Sequence, residues 1–229
     1  MIQVAVIGLG NFGYKLAVTL HDFGADVIAI DKDEKIIDSI KDNVSQAVRL
    51  DASDENALRD IGISEIDAGV VAIGSNIEEN IIVTTLLRRM GVTRIVSRAM
   101  SNLHEKILDE VGASKIVRIE EQMGETIARR LVAPHVLQHV KFASGYSLVE
   151  LKPRKEFIGK TISELSFRQE YKVNVAALQK RIKSIDDDGK SIYKIETKSP
   201  PSPDDIISED DILVLVGMDA EIYQISKQA

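Results

Sequence analysis

The chain has 229 residues, enough for one large domain or for one of about 140 residues with a smaller companion. Its formal charge of −7 argues against nucleic acid as a bulk partner, and the absence of cysteine excludes disulfides, thiolate metal sites and a cysteine nucleophile. Charged residues at 28% and hydrophobic residues at 44% are a soluble globular balance, with no apolar run near the ~20 residues of a membrane span and no signal-peptide pattern.

Residues 2–7 form a short apolar run with a strand's composition. The turn Gly8-Leu9-Gly10-Asn11-Phe12-Gly13 follows at once, a G-x-G-x-x-G pattern. Residues 14–23 then predict a helix with Leu16, Ala17, Leu20 and Phe23 on one face, ended by Gly24. A second strand, residues 25–30, finishes on Asp31. Each part has a physical role. Gly8 permits a turn too tight for a side chain, Gly10 lets backbone approach a pyrophosphate, and Gly13 lets the helix sit close on the sheet. The helix N-terminus favours an anion over residues 10–13. Asp31 lies 18 positions after Gly13, near the spacing at which a carboxylate takes ribose hydroxyls. It also repels a 2′-phosphate, which disfavours NADP.

The alternation continues. Residues 33–43 predict a helix with Ile36, Ile37 and Ile40 on one face. Residues 47–50 predict a third strand, ending at Asp51-Ala52-Ser53. Asp51 is again an acid at a strand's carboxyl end, the edge that faces the ligand crevice of an open α/β sheet; capping is the equal alternative. Ser53 or Asp54 caps a helix through Leu58 and Ile61. Residues 68–73 are apolar throughout, as a strand buried on both faces should be. Gly74-Ser75-Asn76 leads into a helix over residues 77–90. A fifth strand, residues 94–97, has Arg98 at its end, where a cation suits a phosphate, a helix end, or a pair with Asp51 or Asp31. A helix over residues 103–111 and a strand over residues 115–117 follow. The whole predicts a doubly wound parallel sheet of order 3-2-1-4-5-6.

Then the pattern changes. Glu120-Glu121 starts a helix over residues 122–133 with Met123, Ile127, Ala128 and Leu131 on one side, stopped by Pro134. That apolar side calls for a partner, and a second subunit suits it. Residues 136–140 read as a short continuation. From residue 141 the chain is β-rich and short-stranded, an α+β lobe. Strands are expected at residues 147–151, 173–178 and 211–216. A turn and short helix fit residues 157–165, and a turn residues 187–190. Residues 199–203 form an extended surface segment, Gly217 ends the last strand, and Asp219 caps a final helix. The acids at residues 186–188 lack the alternating ligands and later Glu of an EF-hand, so a solvated turn is expected.

His135 and His139 are four apart, metal spacing on a helix, but lack the Glu of H-E-x-x-H and read as surface histidines. No nucleophile elbow or Ser-His-Asp order occurs. A dehydrogenase needs an acid–base group beside its nicotinamide, and no residue of the short tail announces itself as one. Nucleotide binding without chemistry therefore reads better than a small NAD-dependent oxidoreductase. A DNA-binding repressor would need a basic winged-helix unit, and none is found.

Residues 5–13, Asp31-Lys32-Asp33, Asp51-Ala52-Ser53, the helix start Glu120-Glu121-Gln122-Met123-Gly124, and residues 210–217 together resemble the RCK (regulator of K⁺ conductance) family. These are cytoplasmic gating subunits of Ktr and Trk potassium-uptake systems. The resemblance implies a Rossmann nucleotide-binding domain over residues 1–119, a linker and dimerisation helix over 120–140, and a TrkA-C-like regulatory lobe over 141–229. It implies no enzyme activity but a dimer assembling into a ring beneath a membrane K⁺ transporter, with ATP, ADP, AMP or NAD(H) in the cleft. Gly8, Leu9, Gly10, Asn11, Phe12 and Gly13 would surround the phosphates. Asp31 and Lys32 would face the ribose. Asp51 and Ala52 would border the adenine, and Ile73, Gly74, Ser75 and Arg98 would line the rest. Glu120 matches a residue that, in some members, helps hold a divalent cation or Na⁺ between subunits. Some relatives bind cyclic di-AMP in the C-terminal lobe, where Arg168 and Asn174 are the matching candidates. ATP-binding relatives commonly carry Arg where this chain has Asn11. The uncharged amide leaves ADP, AMP and NAD(H) more open than ATP.

Overall fold

The computed structural model describes residues 1–185 and 191–227. The chain divides into two compact units, Met1–Met123 and Gly124–Ala229.

The first unit holds a six-stranded parallel sheet in the order β3-β2-β1-β4-β5-β6. Its strands are β1 (Gln3–Ile7), β2 (Asp26–Asp31), β3 (Gln46–Arg49), β4 (Ala68–Val71), β5 (Ile95–Arg98) and β6 (Lys115–Val117). Between them run α1 (Asn11–Asp22), α2 (Glu34–Ile40), α3 (Glu55–Asp60), α4 (Ile77–Arg89) and α5 (Asn102–Glu110). Side chains alternate across a strand, so a sheet with helices on both faces needs apolar residues at every position. That is what β1 and β2 supply. Ala5, Ile7, Ile28 and Ile30 pack with Leu58, Val83 and Leu87 on one side. Val4, Val6, Val27 and Ala29 pack with Ala17 and Ile40 on the other. Pairing β1 with both β2 and β4 makes the strand order reverse beside β1, and that opens a crevice at the strands' carboxyl ends.

The helix starts are specified locally. The Asp33, Asp54, Asn76 and Ser101 side chains accept backbone N–H groups at the starts of α2, α3, α4 and α5. Of the two caps expected for α3, it is Asp54 that acts, bonding Asn56 and Ala57. Helix α1 differs: no side chain caps it, and its first turn carries no acid.

Helix α6 (Ile119–Val132) leads to the second unit's antiparallel sheet, of order β10-β9-β11-β8-β7. Its strands are β7 (Val136–Lys141), β8 (Tyr146–Leu151), β9 (Asn174–Ile185), β10 (Ser191–Lys198) and β11 (Ile212–Met218). Short helices α7 (Ile162–Leu165) and α8 (Phe167–Glu170) precede β9, and α9 (Asp219–Lys227) follows β11. Among the described residues no helix is long and apolar enough to cross a membrane.

Four local expectations are corrected. Residues 136–140 do not continue the helix: Pro134 breaks it, and β7 pairs with β8 from Val136↔Leu151 to Lys141↔Ser147. Helical metal spacing therefore does not apply to His135 and His139, since four residues along a strand span about 13 Å. Strand β10 was not anticipated, and β9 runs seven residues beyond Leu178, because each completes the other's ladder. Gly217 lies inside β11, where a Cβ would sit 2.8 Å from Val173 Cγ1. Asp219 is the first residue of α9, and its carboxylate accepts the Ser147 hydroxyl. The expected turn at residues 187–190 and the acids at 186–188 lie outside the described residues.

The few aromatic residues concentrate in this lobe. Phe157 meets Phe167 and Tyr171 edge-on, at centroid distances of 5.3 and 5.5 Å. Arg154, 5% exposed, lies 5.3 Å from the centre of the Phe157 ring. Its Nε donates to the Ile225 carbonyl at 3.2 Å, and Nη1 pairs with Glu156 at 3.0 Å. The guanidinium thus closes the carboxyl end of α9 onto the core. Arg154→Met keeps the apolar volume and strands the carbonyl. A loss of about 2–3 kcal/mol is expected in urea unfolding followed by tyrosine emission. A loss below about 0.5 kcal/mol would mean that water replaces the guanidinium.

Candidate functional site

The crevice beside β1 is a cleft of about 550 Å³. Gly8, Gly10, Asp31, Lys32, Ala52, Ile73, Gly74, Ser75 and Arg98, all singled out from the sequence, line it. Ile7, Ile30, Asp33, Ile36, Leu50, Ala72 and Glu79 line it too, and the sequence had not named them as site residues. Ile7, Ile30, Leu50 and Ala72 lie at or beside the carboxyl ends of strands, while Asp33 caps α2 and Ile36 lies within it. Glu79 belongs to the first turn of α4 and had no motif around it.

The three glycines of the turn have three different reasons. Gly8 has φ +87°, and a Cβ there would come within 2.8 Å of Ile73 Cγ1. At Gly13 a Cβ would lie 1.9 Å from the Gly8 carbonyl oxygen, because α1 starts against the end of β1. Gly10 is in ordinary extended backbone, φ −62° and ψ −176°. A Cβ there meets nothing within 4 Å. Neither conformation nor packing requires glycine at position 10; a side chain would project into the cleft, at the uncapped start of α1. Leu9 is buried, while Asn11 and Phe12 form the first helical residues and do not line the cleft.

Asp31 ties the site together. Its Oδ2 accepts the Leu9 N–H at 2.6 Å and its Oδ1 the Asp33 N–H at 2.9 Å. The carboxylate thus fixes the glycine turn, and its remaining lone pairs stay available for hydroxyl donors. Lys32 reaches across to Glu79 at 3.1 Å, and that contact raises the lysine pKa. Asp51 is outside the lining. Its carboxylate accepts the Ser53 N–H at 3.0 Å and the Ser53 hydroxyl at 2.6 Å, which lowers its pKa and closes the turn after β3.

On the far side, Arg98 lies against Gly74, where a Cβ would be 2.6 Å from Nη1. Arg98 pairs with Glu120, a partner the sequence reading had not named, and not with Asp31 or Asp51. Its own backbone N–H and the Arg98 guanidinium hold Glu120 below the usual carboxylate range. Among the described residues the buried Arg98 Nε has no hydrogen-bond partner. Asn80, fully buried in α4, donates its side-chain amide to the carbonyls of Ile73 (2.7 Å) and Arg98 (3.2 Å). Thr84 and Ser97 share a hydrogen bond of 2.9 Å beside it.

Among the described residues no group of three or more His, Asp or Glu side chains is arranged to hold a metal ion. In the second unit, Arg168 Nε donates to Asn174 Oδ1 at 2.9 Å. Both line a hollow of about 500 Å³ with Phe167, Pro200, Pro201 and Pro203.

The TrkA-N domain model matches residues 4–119 and the TrkA-C domain model residues 146–229. The chain is 32% identical over 226 residues to the Ktr system potassium uptake protein C of Bacillus subtilis (strain 168), covering 99% of this chain and 96% of that protein. It is 33% identical over the same length and coverage to the Ktr system potassium uptake protein A of that organism. Among solved structures it is similar to the GsuK channel, at a TM-score of 0.67 and 17% identity, covering 98% of this chain and 38% of that one. A GsuK channel structure bound to NAD matches at a TM-score of 0.62 and 16% identity, covering 96% and 38%. The Kef C-terminal domain of Shewanella denitrificans in its AMP-bound form matches at 0.51 and 19%, covering 57% and 79%. These structural likenesses, at low identity, speak to the fold. Two matched domains in sequence, a relative of the same length at 32% identity and the turn–cleft geometry agree: this chain belongs to the TrkA-N/TrkA-C, or RCK, family of Ktr and Trk potassium-uptake regulators.

Proposed function

We propose that this protein is a nucleotide-sensing regulatory subunit of a membrane K⁺ transporter and that its cleft binds an adenine nucleotide without transforming it. The observation that carries the reading is Gly10, a glycine that neither its backbone nor its neighbours require, at the uncapped start of a helix and on the cleft wall. A pyrophosphate accounts for it. NAD(H), ADP, ATP and AMP share the adenosine that Asp31 would hold through the ribose hydroxyls, with Ala52 and Asp51 towards the adenine. Named relatives among the potassium-uptake proteins support the transporter partner, and neighbours of the same fold described as NAD- and AMP-bound support the ligand class.

Residues 1–119 would sense the ligand, 120–140 would link and dimerise, and 141–229 would act as the regulatory lobe. The exposed Met123, Ile127 and Leu131 of α6 suit a second copy and assembly into a ring at the cytoplasmic face of the membrane. A ligand moves such a ring only as far as it prefers one shape over another. Glu120 is already paired with Arg98, and no group of three or more His, Asp or Glu side chains among the described residues is arranged to hold a metal, so a divalent cation or Na⁺ there would need donors from a second copy. The Arg168–Asn174 hollow is the place for cyclic di-AMP.

Thermal melting with AMP, ADP, ATP, NAD⁺ and NADH tests the reading. A ligand at about 100 times its Kd adds about 2.7 kcal/mol, a rise of roughly 5–10 °C for a chain of this size. Asp31→Asn is expected to weaken binding about 10- to 100-fold, the worth of a charge-assisted bond. No shift with any of the five nucleotides at millimolar concentration would refute the proposal.

A further inference from the structure

At one end of the cleft a lysine stands among three carboxylates. Lys32 directly follows Asp31, and its Nζ lies 3.1 Å from Glu79 Oε2. Both residues line the cleft, one just after β2 and the other in the first turn of α4. The Glu79 side chain is 14% exposed and that of Lys32 66%, so the acid is the fixed member and the lysine the one that reaches. Asp31 and Asp51 also act on the ammonium through space.

In a dinucleotide fold, a cation beside the ribose acid is what accommodates a 2′-phosphate. Lys32 has that position, and a free lysine there would offset the repulsion from Asp31. It is not free.

We infer that Glu79 is a specificity-determining residue, excluding 2′-phosphorylated adenine nucleotides from the cleft by holding Lys32. This deepens the nucleotide reading above and rests on it. A 2′-phosphate brings a charge of about −1.5 to −2 into a region with three carboxylates and one paired ammonium. To use Lys32 it must displace Glu79 and leave a largely buried carboxylate without its partner. A 2′-hydroxyl brings no charge and needs an acceptor, which Asp31 offers. Discrimination of this kind works by making the wrong ligand break something, so it adds to the plain repulsion by Asp31.

The test is calorimetric titration of the full chain with 5′-AMP and with adenosine 2′,5′-bisphosphate, for the wild type, Glu79→Gln, Lys32→Met and the double variant. The reading is the ratio of the two affinities. Wild type is expected to favour AMP. Glu79→Gln should shift the ratio about tenfold towards the bisphosphate, the worth of roughly one relieved charge contact. The double variant should lose that shift, because the lysine it depends on is gone. A ratio unmoved by Glu79→Gln, or a shift that survives Lys32→Met, overturns the inference while AMP binding stands. Binding of neither ligand to wild type overturns the cleft reading itself, and this inference with it.

Discussion

Gly10→Asp is expected to separate stability from binding by moving them in opposite directions. The extended backbone at position 10 accepts an aspartate without strain, and the space beyond it is open. The new carboxylate caps α1 and complements its dipole, a gain of about 0.5–1 kcal/mol. It also occupies the N–H groups a phosphate would use and sets a negative charge against it. Melting of the free chain should therefore rise by about 2–4 °C per kcal/mol gained, while the ligand-induced shift vanishes. A variant that still responds to nucleotide would show that the phosphates do not lie at the start of α1, and one that melts lower would show that the new carboxylate does not cap the helix.

Gly13→Ala, three residues on, should lower stability and binding together. Alanine is normally worth about 1 kcal/mol over glycine inside a helix. Here the methyl group would sit 1.9 Å from the Gly8 carbonyl oxygen, which is backbone and cannot rotate away. Helix α1 must retreat from β1, breaking the contact of Ala17 with the sheet. A net loss of about 3 kcal/mol is expected, at the upper end of overpacking costs, visible as a lower urea midpoint. The glycine turn moves with the helix, so nucleotide affinity should fall as well. A variant as stable as wild type would mean that the helix start has slack that the distances do not suggest.

The sequence made most of the first unit legible, and the reason is local. Strands buried on both faces read as unbroken apolar runs, and the helices between them start at Asp33, Asp54, Asn76 and Ser101, residues that carry their own capping chemistry. The second unit was harder because its strands are half exposed. Residues 191–198 carry Tyr193 and Ile195 on an edge strand, both more than half exposed, and an edge strand is defined by its neighbour more than by its own pattern. The same holds for residues 136–140, whose pairing with β8 outweighed the helix before Pro134. In the cleft, the turn and its acid were visible because their spacing is fixed along the chain. Glu79 was not, since its partner Lys32 is 47 residues away and an acid in a helix's first turn needs no further reason. Arg98 was seen as a cation at a strand end, where a phosphate, a helix end, Asp51 and Asp31 all fitted it, and its partner Glu120 was not among them.

Asn80 has a mechanical consequence. One amide group fastens the ends of two neighbouring strands, at Ile73 and at Arg98, from inside the protein and out of reach of water. Those two chain reversals are therefore rigged as one platform before anything lands on it. A guest arriving there spends little on freezing loops, and what it releases is left over to drive motion in parts of the molecule that are less firmly tethered.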